Sequence, residues 1–149
     1  MHTRRAPGRK DVAARVTGAL LALGVAVIHI IDQGGIPGNK EPRYVGLGYY
    51  ALELTGVVTA VLLLAGVRRL GWFLALGVAA GPALGYVLSR GPGLPSYTDD
   101  KGNWSEPLGV FSLLLEGLLL VLAAAQHLSL SRPVEDVAVG AALAAEGTA

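Results

Sequence analysis

The sequence predicts an all-α protein: an up-down bundle of four transmembrane helices with both termini in the cytoplasm. Three observations carry that expectation. Four apolar segments, 16–31, 45–67, 71–89 and 107–126, contain only two groups charged at neutral pH, Glu53 and Glu116. Charged residues make up 15% of the chain, against about 25% in soluble domains. The Lys and Arg residues also gather on one set of connections. About 20 apolar residues cross a hydrocarbon core about 30 Å thick; the second and fourth segments reach that unaided, while the first and third draw on their flanks. A water-soluble bundle would set a charged face opposite each apolar stripe, and these segments have none.

A basic tail over residues 1–15, holding Arg4, Arg5, Arg9, Lys10 and Arg15, leads into a first helix over about 12–31. A basic stretch before an apolar run also fits a cleaved signal peptide. Here His29-Ile30-Ile31-Asp32 stands where a small-x-small cleavage site would be, so the segment is expected to stay. The connection over 32–43 is built of turn formers: Gly34-Gly35, Pro37-Gly38-Asn39 and Glu41-Pro42. A second helix follows over about 45–67, then a tight turn from Gly66 to Gly71 carrying Arg68-Arg69, and a third helix over about 71–89 in which Pro82 is expected to kink the path. After the longer loop 90–106, Pro107 suits the first turn of a fourth helix over 107–127, with Ser105 as its N-cap. The four helices form one transmembrane domain, 16–127, and the small-residue tail 128–149 is expected to be disordered.

Orientation follows from the basic residues. Eight of the twelve lie in the N-terminal tail, at Arg68-Arg69 and at Arg132, and four, Lys40, Arg43, Arg90 and Lys101, lie in the other two loops. The excess marks the cytoplasmic side of a multi-pass plasma-membrane protein. Tyr44 and Trp104 are expected as aromatic anchors at the outer interface and Trp72 at the inner one.

Several chemistries are excluded. The chain has no cysteine, hence no disulfide, thiol catalysis or thiolate metal site. A net charge of +1 without a basic patch offers nothing to nucleic acid. No nucleophile–base pattern, phosphate loop or nucleotide fingerprint appears, so an enzyme ranks last among the readings and no cofactor is assigned. Asp99-Asp100-Lys101-Gly102-Asn103 lacks the alternating oxygen ligands of an EF-hand and reads as a solvated turn.

What remains is a polar constellation inside apolar helices. Glu53 and Glu116 each lie about nine residues from the outer end of their helix, roughly 13 Å deep at the helical rise. In an up-down bundle the second and fourth helices are diagonal, so inward-facing carboxyls would face each other and share a proton. An ionised carboxylate at that depth costs several kcal/mol unless paired or hydrated. Tyr49, Tyr50 and Ser112 are donors within helical reach, and His29 joins them from the first helix with Asp32 and Gln33 as its own neighbours. The candidates for a ligand or proton site are therefore Glu53, Glu116, His29, Tyr49, Tyr50 and Ser112. Two carboxylates with one imidazole would suit iron, manganese or zinc, but His29 lies nearer the outer surface than the acids. Gly77, Gly81 and Gly85 form a small-residue ridge for close helix packing, within the bundle or against another membrane protein or a second copy.

The Tyr86-Val-Leu-Ser-Arg-Gly-Pro-Gly-Leu-Pro95 exit from the third helix, the Trp104-Ser-Glu-Pro-Leu-Gly109 entry into the fourth, and His29 in the first resemble the small four-helix membrane proteins, mostly uncharacterised, of high-GC Gram-positive bacteria. The likeness covers the bundle and not the tails, and it implies no activity. The architecture alone is similar to the DoxX-like bundles, and architecture does not carry function. Two readings stand side by side: a proton, cation or small-ligand site at the midplane, or an accessory or scaffold subunit whose buried polar groups only lock helices together.

Overall fold

The computed structural model describes residues 8–131. Four helices follow one another: α1 (Arg9–Asp32), α2 (Arg43–Leu64), α3 (Arg68–Arg90) and α4 (Pro107–Ser131). All four are long and apolar enough to cross a membrane. α1 and α3 each lie against both α2 and α4 and also touch each other, whereas α2 and α4 do not approach.

Helix ends depart from the sequence expectation for local reasons. Residues from Arg9 onward belong to α1 and not to a tail. Asp11 in the first turn pairs with Arg15 one turn on, at 3.2 Å, and with Arg68 at 3.0 Å. Those pairs let the helix run past its apolar stretch. α2 stops at Leu64 and α3 begins at Arg68, so Arg68 and Arg69 lie in a helical first turn and not in the connection. The stop is set by Gly66, whose φ of 81° is left-handed. There its N–H donates to the carbonyl of Leu63 and that of Val67 to Leu62, the pairing that satisfies orphan carbonyls at a glycine C-terminus. Gly34, at φ 87°, ends α1 the same way, with Gly35 N–H on the carbonyl of Ile30. At the start of α4 the side-chain cap is Glu106 and not Ser105: its carboxylate accepts from the N–H groups of Leu108 at 3.0 Å and Gly109 at 2.6 Å. A carboxylate at that end also meets the positive pole of the helix. α4 continues through Ser131, so residues 128–131 are helical and the rest of the expected C-terminal tail lies outside the described residues.

The core is made of small residues packed around one large one. Trp72 is fully buried, among Ala19, Ala22, Leu63 and Ala75. It is therefore a core residue and not an interfacial anchor. Gly18 makes room for it: a Cβ there would come within 2.7 Å of the indole ring. Close approach of helices likewise rests on Gly56 against the Ala22 carbonyl, Gly71 against Leu63 and Gly109 against the Tyr86 ring. The expected ridge behaves otherwise. A Cβ on Gly77, Gly81 or Gly85 would meet nothing within 4 Å, so these glycines do not mediate packing inside the bundle. Tyr44 and Trp104 are half exposed.

Candidate functional site

The two buried glutamates take different surroundings. Glu53, on α2, is 7% exposed and accepts a hydrogen bond of 2.6 Å from Gln33 Nε2, just past the end of α1. Gln33 itself is fully buried and pressed against Gly38, where no Cβ would fit. Neither Glu53 nor Gln33 lines the cavity that holds Glu116. Tyr50 belongs to the same neighbourhood but is exposed, and its hydroxyl accepts from the N–H of Gly38 at 2.7 Å. The connection between α1 and α2 is thereby folded back onto both helices.

Glu116, on α4, is 2% exposed, and its Oε1 accepts from Ser112 Oγ one turn earlier at 2.6 Å. Its Oε2 is buried without a hydrogen-bond partner among the described residues. Glu116 and Ser112 line a cavity of about 370 Å³ to which all four helices and the loop 91–106 contribute. That volume falls in the range of small-molecule sites, about 300–1,000 Å³. His29 and Tyr49 line the same space, whereas Glu53 and Tyr50 do not. Of the six residues expected together from sequence, four meet here and two are diverted to the Gln33–Gly38 contact. No hydrogen bond joins Glu53 to Glu116. The contact between α1 and α3 occupies the centre and holds α2 and α4 apart. Among the described residues no group of three or more His, Cys, Asp or Glu is placed to hold a metal ion, so His29, Glu53 and Glu116 do not assemble one.

Residues from the loop 91–106 and from helix ends complete the cavity. Asp32, Arg90, Tyr97, Asp100 and Glu106 all line it. Arg90 pairs with Asp100 at 3.4 Å and Glu106 at 3.6 Å while its guanidinium lies 4.0 Å from the centre of the Tyr86 ring. Tyr97 donates to Asp100 at 2.7 Å; burial, and then that bond, push its phenol above the usual tyrosine value. Asp32 accepts from the Tyr49 hydroxyl and pairs with Lys40 at 3.0 Å. His29 bonds the Val25 carbonyl through Nδ1 at 2.9 Å and sets its ring 5.2 Å from that of Tyr49. Residues 99–103 form a turn in which all but Asp100 are exposed, in line with the solvated turn the sequence predicts; nothing in its composition signals that Asp100 pairs with Arg90 beside the cavity.

Charge around the cavity is unbalanced. Four carboxyls, Asp32, Asp100, Glu106 and Glu116, line it with one arginine. Asp32, Asp100 and Glu106 each have a cation within 3.6 Å, and Glu116 is not among the ion pairs of the described residues. The fold and site define a class: an all-helical protein with four candidate membrane spans and a small-molecule-sized cavity that ends on a buried, half-satisfied carboxyl group. Compared with protein-family profiles, with curated proteins and with solved structures, the chain matches none.

Proposed function

We propose that this is a multi-pass plasma-membrane protein, an up-down bundle with both termini cytoplasmic, whose cavity holds a small ligand on Glu116. The contacts support the topology. Arg15 reaches the Leu63 carbonyl and Arg68 reaches Asp11 at one end, while Tyr49 meets Asp32 and Arg90 meets Glu106 at the other. The basic excess falls at the first of those ends, which the positive-inside rule assigns to the cytoplasm.

One observation carries the ligand reading: Glu116 Oε2 is buried, unpartnered and in the wall of a cavity large enough for a guest. A buried acceptor left unmade costs about 1–3 kcal/mol, and ionisable groups inside membranes mark binding and transport sites by default. A hydrogen-bond donor or cation seated there supplies the missing partner. The test is native mass spectrometry of the protein purified gently from its own membrane. The wild type is expected to carry an organic molecule of defined mass that Glu116→Gln loses and Glu53→Gln keeps. Bare wild-type protein would overturn the reading.

A structural reading has support at Glu53. Its bond to Gln33 ties α2 to the end of α1, lies outside the cavity, and fits an accessory or scaffold subunit in which buried polar groups lock the bundle. Co-purification of a second polypeptide with ligand-free protein would favour it for the whole molecule.

A further inference from the structure

The cavity has a roof and an open side. Above it, the Tyr44 hydroxyl on α2 donates to the Pro95 carbonyl of the outer loop at 2.7 Å, and Arg90 ties the same loop to α3 through Asp100 at 3.4 Å. The Gly102 N–H adds a bond to the Arg90 carbonyl at 2.8 Å. The side between α2 and α3 has no such closure. Gly48, Gly81 and Gly85 line the cavity from these two helices, and a Cβ on any of them would meet nothing within 4 Å. Gly48 and Gly81 are also exposed on the outer surface of the bundle. The two helices are held close at their other ends, where Gly71 packs on Leu63. At about 1.5 Å per residue the three glycines lie roughly 7 to 14 Å inside the helix ends at the roofed side, a depth that belongs to lipid tails in a core about 30 Å thick. Leu47 and Leu84, beside the gap, are exposed at 56% and 59%, as suits contact with lipid.

We infer that the gap between α2 and α3 is a lateral portal from the bilayer, and that the cavity takes an amphipathic primary amine, its ammonium on Glu116 and its alkyl chain passing between Gly48 and Gly81. The inference rests on the reading of Glu116 as a ligand group. The class follows from the chemistry of the walls. An anionic head would face four carboxyls, three of them already paired with Lys40 or Arg90, and a head without a hydrogen-bond donor would leave Glu116 Oε2 unanswered. A donor-bearing ammonium fits better than a quaternary one, because the vacant feature is an acceptor oxygen. The aromatic faces that recognise quaternary ammonium are partly taken: Lys40 lies 5.4 Å from the Tyr49 ring centre and Arg90 4.0 Å from that of Tyr86. The open side then explains the glycines that the bundle does not use for packing.

The test uses full-length protein in lipid nanodiscs, with dodecylamine and dodecanol as probes and binding followed by thermal shift and stopped-flow. The wild type is expected to bind dodecylamine and not dodecanol. Glu116→Gln is expected to weaken the amine about ten- to a hundredfold, the equivalent of one charge-assisted hydrogen bond. Gly81→Phe and Gly48→Phe, at positions where a Cβ meets nothing within 4 Å, are expected to fold and to slow association. Tyr44→Phe, which unties the roof, is expected to leave association unchanged. Faster association in Tyr44→Phe with no effect of either Phe variant would overturn lateral entry while leaving the Glu116 site intact. Equal binding of dodecanol would overturn the amine class. If neither probe binds but a native molecule is retained through Glu116, the class falls and the site stands; if nothing is retained, both fall.

Discussion

Removing the donor to Glu53 and removing the Glu116 carboxyl should affect stability differently. Gln33→Met takes away the donor to Glu53 while keeping side-chain volume. Gln33 is fully buried and Glu53 is 7% exposed, and the bond between them is 2.6 Å long. An orphaned buried acceptor costs about 1–3 kcal/mol, whereas interhelical hydrogen bonds in membranes average about 0.6 and reach about 1.7 kcal/mol. Gln33→Met also removes Oε1, itself buried without a partner, so the net loss is expected to be about 1 kcal/mol. Glu116→Met removes an oxygen that already lacks a partner, and with it the bond from Ser112. Relief of the first roughly offsets loss of the second, so stability is expected to hold or to rise by up to about 1 kcal/mol. Reversible unfolding by SDS titration in mixed micelles, following Trp72 fluorescence, reads both. A Glu116→Met loss as large as that of Gln33→Met would refute the distinction between a closed contact and an open site.

Other expectations follow from the same geometry. Gly18→Val drives a side chain into the Trp72 ring and should destabilise by about 1–3 kcal/mol, whereas Gly77→Ala, facing open space, should be neutral or gain up to about 1 kcal/mol from helix propensity; thermal denaturation in detergent separates them. Arg90→Leu should free the loop 91–106 without unfolding the bundle, seen as faster proteolysis confined to that loop. Because the Tyr97 phenol is raised in the fold, the loop should lose stability as pH climbs above about 10, the ordinary tyrosine value, where the unfolded phenol ionises first. Trp104 fluorescence should report that alkaline loosening in the wild type and a flatter response in Tyr97→Phe. Thr98→Cys should react with an impermeant thiol reagent from outside intact cells and Arg69→Cys only after permeabilisation; the reverse pattern would invert the topology.

The bundle was legible because hydropathy is a property of long segments, and four of them stand out whatever their neighbours do. Their ends were less so. The apolar count ran through Val67, while the turn at Gly66 is decided by one left-handed residue and two backbone bonds. Glu116 was legible as a carboxyl group out of place, and its Ser112 neighbour followed from helical spacing. The separation of the two glutamates was not, since it depends on Gln33, which lies beyond the helix end, and on α1 touching α3 across the centre. The Gly77, Gly81 and Gly85 ridge shows the limit of a pattern read alone. Small residues allow close approach, but only the neighbouring helix determines whether the space is filled by packing or left as an opening.

The most direct test is a comparison of carboxyl reactivity at the two glutamates. Purified protein stripped of bound small molecules is treated with a hydrophobic carbodiimide, and modified residues are mapped by mass spectrometry of peptides. Modification at Glu116 and not at Glu53, suppressed by prior addition of dodecylamine, is the predicted result. Equal modification of both, or of Glu53 alone, would contradict the assignment of Glu116 as the open ligand group and Glu53 as the closed structural one.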